Sequence, residues 1–202
     1  MELLMRTDGK DYSDYLERKY LPGRRKYLSW FFYPKLMRNF LTSETIVDLG
    51  CGTGEFLNYC RNRNRKVVGV DSNESLIAKN RSNGFDVVLD DVCALSSLKR
   101  KRFRYAICDN VLEHLEVSEI RKFFHCVGEL MISGGELVCV VPGVKGFQMD
   151  PTHKTYVSKA ILEETFKNSV WAIKQYYHHP LNLSNIDKFL YLNMQVFEMK
   201  RL

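Results

Sequence analysis

Residues 46–57 read IVDLGCGTGEFL: a short apolar run, then Gly50, Gly52 and Gly54 within five positions, then the opening of a helix. Each glycine loses more backbone entropy on folding than any other residue. Three so close together mark a turn that needs positive φ or must let something approach the backbone. Strand, glycine turn and helix are the first unit of an α/β sheet, whose ligands lie at the carboxyl ends of the strands where strand order reverses. The helix starting near Gly54 also presents backbone N–H groups with no intrahelical partner. The spacing is G-x-G-x-G, not the G-x-G-x-x-G of dinucleotide folds, and no Gly-Lys-Ser/Thr follows, so a phosphate cradle is not indicated.

Outward from this loop the same alternation repeats. TIVDLG (45–50) is the first strand, and TGEFLNYCRNR carries helical spacing at Phe56, Leu57 and Cys60. KVVGVD (66–71) is a second strand, followed by a helix opening on Ser72-Asn73, with Glu74 in its first turn, and stopping at Asn83-Gly84. FDVVLDD and FRYAICDN give strands three and four, VSEIRKFFHCVGELM a helix closed by Ser133-Gly134-Gly135, and GELVCVVP strand five. Ser158 caps a helix over SKAILEETFKNS, and SVWAIKQYYHH and LYLNMQVFEMKRL alternate as two last strands, joined by a loop-like 180–189 into an antiparallel pair at the sheet edge. Near-continuous apolar strands alternating with helices predict an α/β fold, a parallel sheet covered by helices on both faces. Ahead of it, Tyr12, Tyr15, Leu16, Lys19 and Tyr20 keep helical spacing, Pro22-Gly23 interrupts, and residues 24–41 resume the helix.

The strand ends carry the chemistry. Asp71 closes strand two, 17 residues beyond Gly54, where a carboxylate accepts the two hydroxyls of a ribose. Asp90-Asp91 closes strand three, in position to bond an adenine amino group. Either acid also suits a turn or helix cap, but a glycine loop and acids on three successive strand ends together describe a nucleoside site.

VDLGCGTGEFL, GVDSNESLIAKN, LDDVCAL and AICDNVLEHL, in that order over residues 44–142, resemble the motifs of class I S-adenosylmethionine-dependent methyltransferases, and most of all the small-molecule group with a VLEHL segment after strand four. The resemblance implies a Rossmann-like, seven-stranded, mostly parallel sheet with an antiparallel last strand. It implies a helical N-terminal lid over residues 1–40, a methyltransferase domain over 41–202, and S-adenosyl-L-methionine as cofactor. Carried over by position, Gly50, Cys51, Gly52 and Gly54 wrap the methionine portion, with Asp48 beneath them steadying the loop or the amino group. Asp71 binds the ribose, Ser72 lies beside the adenine, and Asp91 with Val92 fits the third motif better than Asp90. Asp109 and Asn110 line the methyl-transfer pocket. The family often starts strand four with Phe-Asp; here it is Phe103-Arg104, at the far end from the cofactor, where the change bears on stability.

Methyl transfer asks the protein mainly for alignment and exclusion of water, and for a hydroxyl acceptor a base as well. His153 is the best base candidate, in QMDPTHKTYVSK directly after strand five, with Asp150 able to orient its ring. This element resembles a DPTH segment of relatives acting on sugars or glycans. Glu113 and His114, just past strand four, either orient the active-site loop or take part directly. In the lid, Arg24 and Arg25 are candidates to clamp a carboxylate, and Tyr27 and Trp30 serve as core or as a substrate platform.

Composition excludes little and agrees with the rest. No stretch approaches the roughly 18 apolar residues of a spanning helix, and the N-terminus has no hydrophobic signal core, so a cytoplasmic protein is expected. The six cysteines lack C-x-x-C spacing, so neither zinc nor disulfides are indicated and no metal site is expected. The net charge of +6 is concentrated in 22–26, 61–66 and 99–104, read as solvated loops rather than a nucleic-acid footprint. The expected partner is a small-molecule acceptor, a sugar or glycan hydroxyl being one class. Two other readings remain: a catalytically silent cofactor-binding or adaptor protein of this fold, and a nucleic-acid methyltransferase. The second is disfavoured because DNVL (109–112) stands where an Asn/Asp-Pro-Pro-Tyr/Phe element would be.

Overall fold

A computed structural model describes residues 7–19, 27–183, 186–191 and 193–202. Seven strands form one sheet: β1 (Ile46–Leu49), β2 (Val67–Asp71), β3 (Val87–Leu89), β4 (Phe103–Asp109), β5 (Met131–Pro142), β6 (Trp171–His179) and β7 (Met194–Arg201). Their order is β3-β2-β1-β4-β5-β7-β6. The pairs from β3 through β5 are parallel, and β7 runs antiparallel to both β5 and β6. The closing hairpin therefore lies at the sheet edge as expected, with β7 on the inside and β6 outermost. Strand order reverses between β1 and β4, which places the β1 turn and the end of β4 side by side at the switch point.

Among the described residues, seven α-helical segments accompany the sheet: α1 (Lys10–Lys19), α2 (Tyr33–Leu36), α3 (Glu55–Arg61), α4 (Glu74–Ser82), α5 (Val117–Leu130), α6 (Val144–Gln148) and α7 (Lys159–Phe166). A π-helical turn, Leu28–Phe32, leads into α2. Because side chains alternate across a strand, the sheet feeds two apolar layers. Ala106 and Cys108 of β4, with Leu137, Cys139 and Val141 of β5, pack against Ile120, Phe123 and Val127 of α5 and Leu162 of α7. Tyr105 and Ile107, with Val138 and Val140, face Phe32, Tyr33 and Leu36 around α2 and Phe56, Tyr59 and Cys60 of α3. Buried on both sides, β1 has no exposed position, which is why IVDL shows no polar alternation.

Two local details differ from the expectation. Ser133-Gly134-Gly135 does not end α5; that helix stops at Leu130 and the chain enters β5 at Met131. The three residues lie in a bulge, where pairing jumps from Phe103–Met131 to Tyr105–Glu136. A Cβ on Gly135 would sit 2.9 Å from the Ile132 carbonyl oxygen and 3.0 Å from that of Arg104, so glycine is what lets the bulge close. At α4 the cap is Asn73, whose side chain accepts from Leu76 N–H at 3.1 Å, and not Ser72. Arg104, standing where the family has an acid, meets Glu44 across 3.7 Å on the surface.

One polar contact ties α2 and its C-terminal turn to the closing hairpin. Glu198, 5% exposed, accepts from Arg38 Nη2 at 2.8 and 3.0 Å through its two oxygens, and from Tyr177 Oη at 3.2 Å. Glu198→Ala leaves the Tyr177 hydroxyl buried without this acceptor. The expected cost is about 2 kcal/mol, discounted for the partial exposure of Arg38. A thermal melt should show Tm lowered by roughly 2–4 °C per kcal/mol at this chain length.

Candidate active site

The glycine turn is held from three sides. Gly50 and Cys51 N–H both donate to the Val70 carbonyl, at 2.8 and 2.9 Å, binding the loop to the end of β2. Gly52 N–H donates to Asp71 Oδ2 at 2.8 Å, and Asn80 Nδ2 of α4 donates to the Gly52 carbonyl at 2.8 Å. Gly50, Gly52 and Gly54 take φ of +79°, +49° and +80°. A Cβ on Gly50 would lie 2.2 Å from Val111 Cγ2, and one on Gly54 2.5 Å from Asn80 Oδ1. Around Gly52 the space is open, with nothing nearer than 4.0 Å. The first and third glycines thus allow close packing of the loop, while the Cα of the middle one faces open space.

The Cys51 side chain packs with Leu57, Ile77 and Val87. Burial, with Asp48 and Asp71 nearby, pushes its thiol well above the usual cysteine range. Val92 likewise points into the core, so both reach a ligand only through backbone.

The acids are organised as unequal partners. Asp71 accepts from Gly52 N–H through Oδ2 and from Asn73 N–H through Oδ1, both at 2.8 Å, so the residue that closes β2 also braces the glycine loop and the start of α4. Burial raises its pKa, and backbone N–H groups of Asn73, Gly52 and Ser72 oppose that. Ser72 itself is exposed. Asp90 commits both oxygens to the following turn, accepting from Asp91 and Ser97 N–H at 2.8 and 2.6 Å, whereas exposed Asp91 accepts from Cys93 N–H at 2.8 Å. Asp48 is 2% exposed beneath the loop, and its Oδ2 has no hydrogen-bond partner among the described residues. Its pKa lies well above the ordinary carboxylate value, through burial first and then the charges of Asp109 and Asp71.

At the end of β4, Asp109 Oδ1 accepts from Asn110 Nδ2 at 2.7 Å, and Tyr33 Oη lies 3.5 Å from Oδ2. Asn110 adopts φ +57°, a left-handed conformation that asparagine tolerates better than most side chains, and it turns the chain off the strand into Leu112–His114. Beside it opens a cavity that reaches solvent. Its walls are Tyr12 and Leu16 of α1, Tyr27, Leu28 and Phe32 before α2, Asp109 at the end of β4, Asn110, Glu113 and His114 after it, Asp150 and His153 after β5, and Met194 of β7. The π-helical turn thus contributes the apolar side and the strand ends the polar side.

His114, Asp150 and His153 come together at one end of this cavity. The Glu113 carbonyl accepts from Lys154 and Thr155 N–H at 2.7 and 3.1 Å, fastening the segment after β5 to the turn after β4. Asp150 Oδ1 accepts from the Thr152 N–H and hydroxyl, at 2.9 and 2.6 Å, and Oδ2 accepts from Tyr15 Oη at 3.1 Å. His153 Nε2 lies 3.7 Å from Asp150 Oδ2 and 3.9 Å from Glu113 Oε1. The Glu113 side chain is fully buried.

The sequence reading did not anticipate Tyr12 and Tyr15 as site residues, although their helical spacing was evident. Nothing local announces that α1 reaches His114 (Tyr12 Oη to Nε2, 3.3 Å) or Asp150. Arg24 and Arg25, candidate carboxylate clamps, fall outside the described residues. Trp30 is 75% exposed and does not line the cavity, while Tyr27 does.

An open sheet with this strand order, a glycine loop on its first turn and acids on the next two strand ends define a class I S-adenosylmethionine-dependent methyltransferase. The profile of the family described as "Methyltransferase domain" matches residues 15–180, and the chain belongs to that family. No curated protein matches it. Among solved structures it is similar to a SAM-dependent methyltransferase from Archaeoglobus fulgidus, at 20% identity, covering 94% of this chain and 99% of that one, TM-score 0.68. It is also similar to a magnesium protoporphyrin IX methyltransferase from Synechocystis with bound SAM, at 12% identity, 97% and 93% coverage, TM-score 0.68. A protein from Pyrococcus horikoshii aligns at 17% identity, 96% and 100% coverage, TM-score 0.72. At such identities the likeness is one of fold. The enzyme uses S-adenosylmethionine, and two features of its own site fit that cofactor: the open space over Gly52 and the buried Asp48 carboxylate oxygen. No helix among the described residues is long and apolar enough to cross a membrane.

Proposed function

We propose that the chain transfers a methyl group from S-adenosylmethionine to a hydroxyl of a small acceptor, of the sugar or glycan class. The observation that carries this is the cavity itself: Asp109 and Asn110, at the cofactor end of β4, share it with His114, Asp150 and His153. An acceptor seated there would meet polar groups at one end and Tyr27, Leu28 and Phe32 at the other, an arrangement suited to a ring with one edge of hydroxyls. The Asp150-Pro151-Thr152-His153 element, similar to that of sugar-acting relatives, supports the acceptor class.

The cofactor supplies an already activated methyl on a sulfonium, so the residues supply alignment, dryness and disposal of one proton. In this reading Gly50, Gly52 and Gly54 wrap the methionine portion, with the Cys51 backbone between them. Asp48 holds its amino group, Asp71 the ribose, and Ser72, Asp91 and Val92 border the adenine. His153 is the residue through which the acceptor's proton is handled, with Asp150 and His114 fixing it in place. Residues 1–40 act as a lid on a methyltransferase domain spanning 41–202. α1 fits that role, since Asn73 Nδ2 donates to the carbonyls of Thr7 and Gly9 at 3.1 and 2.8 Å, and Tyr12 and Leu16 pack on Leu76.

Calorimetric titration should detect binding of S-adenosylmethionine and of its demethylated product. A mass-spectrometric screen of hydroxyl acceptors, sugars first, should then yield a product heavier by one methylene. Cofactor binding with methylation confined to amine or carbon acceptors would overturn the hydroxyl assignment. Binding with no turnover on any acceptor would favour the silent-protein alternative.

A further inference from the structure

Glu113, His114 and His153 lie together in a way that a proton-handling histidine alone does not require. One ring nitrogen from each imidazole and one Glu113 oxygen all fall within 4.8 Å of one another. Ligands around an ion bound at about 2.0–2.2 Å stand roughly 3–4 Å apart, so a small contraction closes the set. Both rings are held in the manner of metal-binding histidines. His114 Nδ1 is 3.1 Å from the Thr152 carbonyl oxygen, and His153 Nδ1 is 3.0 Å from that of Phe147. A carbonyl only accepts, so each Nδ1 carries a hydrogen, and in the neutral ring it is Nε2 that presents a lone pair. His153 Nε2 faces two carboxylate oxygens, Glu113 Oε1 and Asp150 Oδ2, at 3.9 and 3.7 Å. Lone pairs of two imidazoles and a carboxylate converging on one point suit a cation at that point. The ring packing agrees, with the His114 and His153 centroids 5.0 Å apart and edge-on.

We infer that Glu113, His114 and His153 bind a divalent first-row transition-metal ion at the acceptor end of the cavity. Two imidazoles and one carboxylate are a borderline ligand set, favouring ions such as Mn²⁺, Fe²⁺, Co²⁺ or Zn²⁺ over Mg²⁺ or Ca²⁺. Three protein ligands leave coordination positions for water or substrate. The inference rests on the proposed acceptor site and specifies how its proton is handled. The acceptor oxygen replaces a bound water, its hydroxyl is acidified on the ion, and its proton leaves to solvent water. That oxygen forms the new bond to carbon as the carbon–sulfur bond breaks, sulfur keeping the electron pair. No change in the oxidation state of the ion is involved. On this inference His153 serves the proton's departure as a ligand of the ion in place of acting as its base, and Tyr12 Oη, 3.3 Å from His114 Nε2, moves aside or becomes a neighbour of the ion.

The test uses the full chain, stripped with chelator and titrated with Co²⁺ alone, followed by calorimetry and by visible absorption. One equivalent of Co²⁺ should bind, and His114→Ala, His153→Ala and the isosteric Glu113→Gln should each weaken it at least about tenfold. Binding of the demethylated cofactor product, which the proposed site seats on the glycine loop and Asp71, reports that each variant is folded. No bound Co²⁺, equal affinity in the three variants, or a thiolate charge-transfer band placing the ion on a cysteine would each overturn the inference. Loss of turnover on stripping and its recovery with Co²⁺ or Mn²⁺ would support it; full turnover in stripped enzyme would sink it. Cofactor binding and methyl transfer without any ion would leave the proposed function standing and the metal site refuted. Metal binding without cofactor binding would do the reverse.

Discussion

Asp71→Ala is expected to weaken S-adenosylmethionine binding by about a hundredfold or more, the largest single effect of any substitution in the cofactor half of the site. Two losses coincide. The proposed ribose contact goes, and so does the acceptor that holds Gly52 N–H at 2.8 Å and Asn73 N–H at 2.8 Å. Hydrogen bonds to a charged acceptor contribute about 1.5–3 kcal/mol each, and a factor of one hundred needs only about 2.8 kcal/mol. The glycine loop must then find its positive-φ geometry without the side chain that fixes it. Asp71→Asn separates the two roles. An amide oxygen can still accept one N–H, so folding should hold while affinity falls, because an amide is a weaker partner for two hydroxyls. Calorimetry with the cofactor and a thermal melt of each variant check this together. Unchanged affinity in both variants would mean that the ribose lies elsewhere.

Asp71 also shows why this half of the site was readable in the chain. A residue at the tip of a strand has its place set by the strand, so position in sequence translates directly into position at the carboxyl end of the sheet. The same logic holds for Asp48, for Asp109 and for the three glycines, whose φ angles demand the residue type found there. Strand pairing followed too, since buried parallel strands carry long apolar runs and the final pair alternates. What stayed hidden depends on contacts between distant segments. Tyr12 meets His114 across 102 residues, and Tyr15 meets Asp150 across 135, with no local signal at either end. The same holds for Glu113, His114 and His153: an Glu-His pair and a lone histidine 39 positions later become one cluster only because β4 and β5 are neighbours and two backbone bonds tie the segments that follow them. Ser133-Gly134-Gly135 illustrates a different limit. Glycines mark an irregularity reliably, but a helix stop and a bulge call for the same residues, and only the pairing of Tyr105 with Glu136 decides between them.

The cavity's two ends divide the work in keeping with this. The proposed cofactor residues are held by the sheet and its first turns, which every neighbouring strand supports. Much of the proposed acceptor end comes from α1, the π-helical turn and the segment after β5, parts that the sheet constrains least. On that proposal, specificity for the acceptor belongs to the region where the sequence motifs are loosest.

Asp48→Asn should have opposite effects on stability and on binding. Asp48 is buried under the loop, one oxygen has no hydrogen-bond partner among the described residues, and burial together with Asp109 and Asp71 raises its pKa well above 3.8. The native state therefore holds this proton more tightly than the unfolded chain does. Protons bound are then greater in the folded than in the unfolded state, so folding stability falls as pH rises from the ordinary carboxylate value up through the raised one. An amide carries no charge at any pH and removes that slope. Above the window, the variant's Tm should exceed that of the parent by a few degrees, corresponding to about 1 kcal/mol or more. Toward pH 4 the two melts should draw together, because the parent's carboxyl is then protonated in the folded state and about half protonated in the unfolded one. Cofactor binding should move the other way. If the methionine ammonium is what compensates the buried charge, its loss weakens affinity by about tenfold or more. Melts from pH 4 to 8, with and without S-adenosylmethionine, give both numbers from one set of samples. A variant less stable than the parent at neutral pH, or one that binds the cofactor equally well, would show that Asp48 serves the loop and not the ligand. The residue would then be a structural brace rather than a charge held in an unfavourable place until the cofactor arrives.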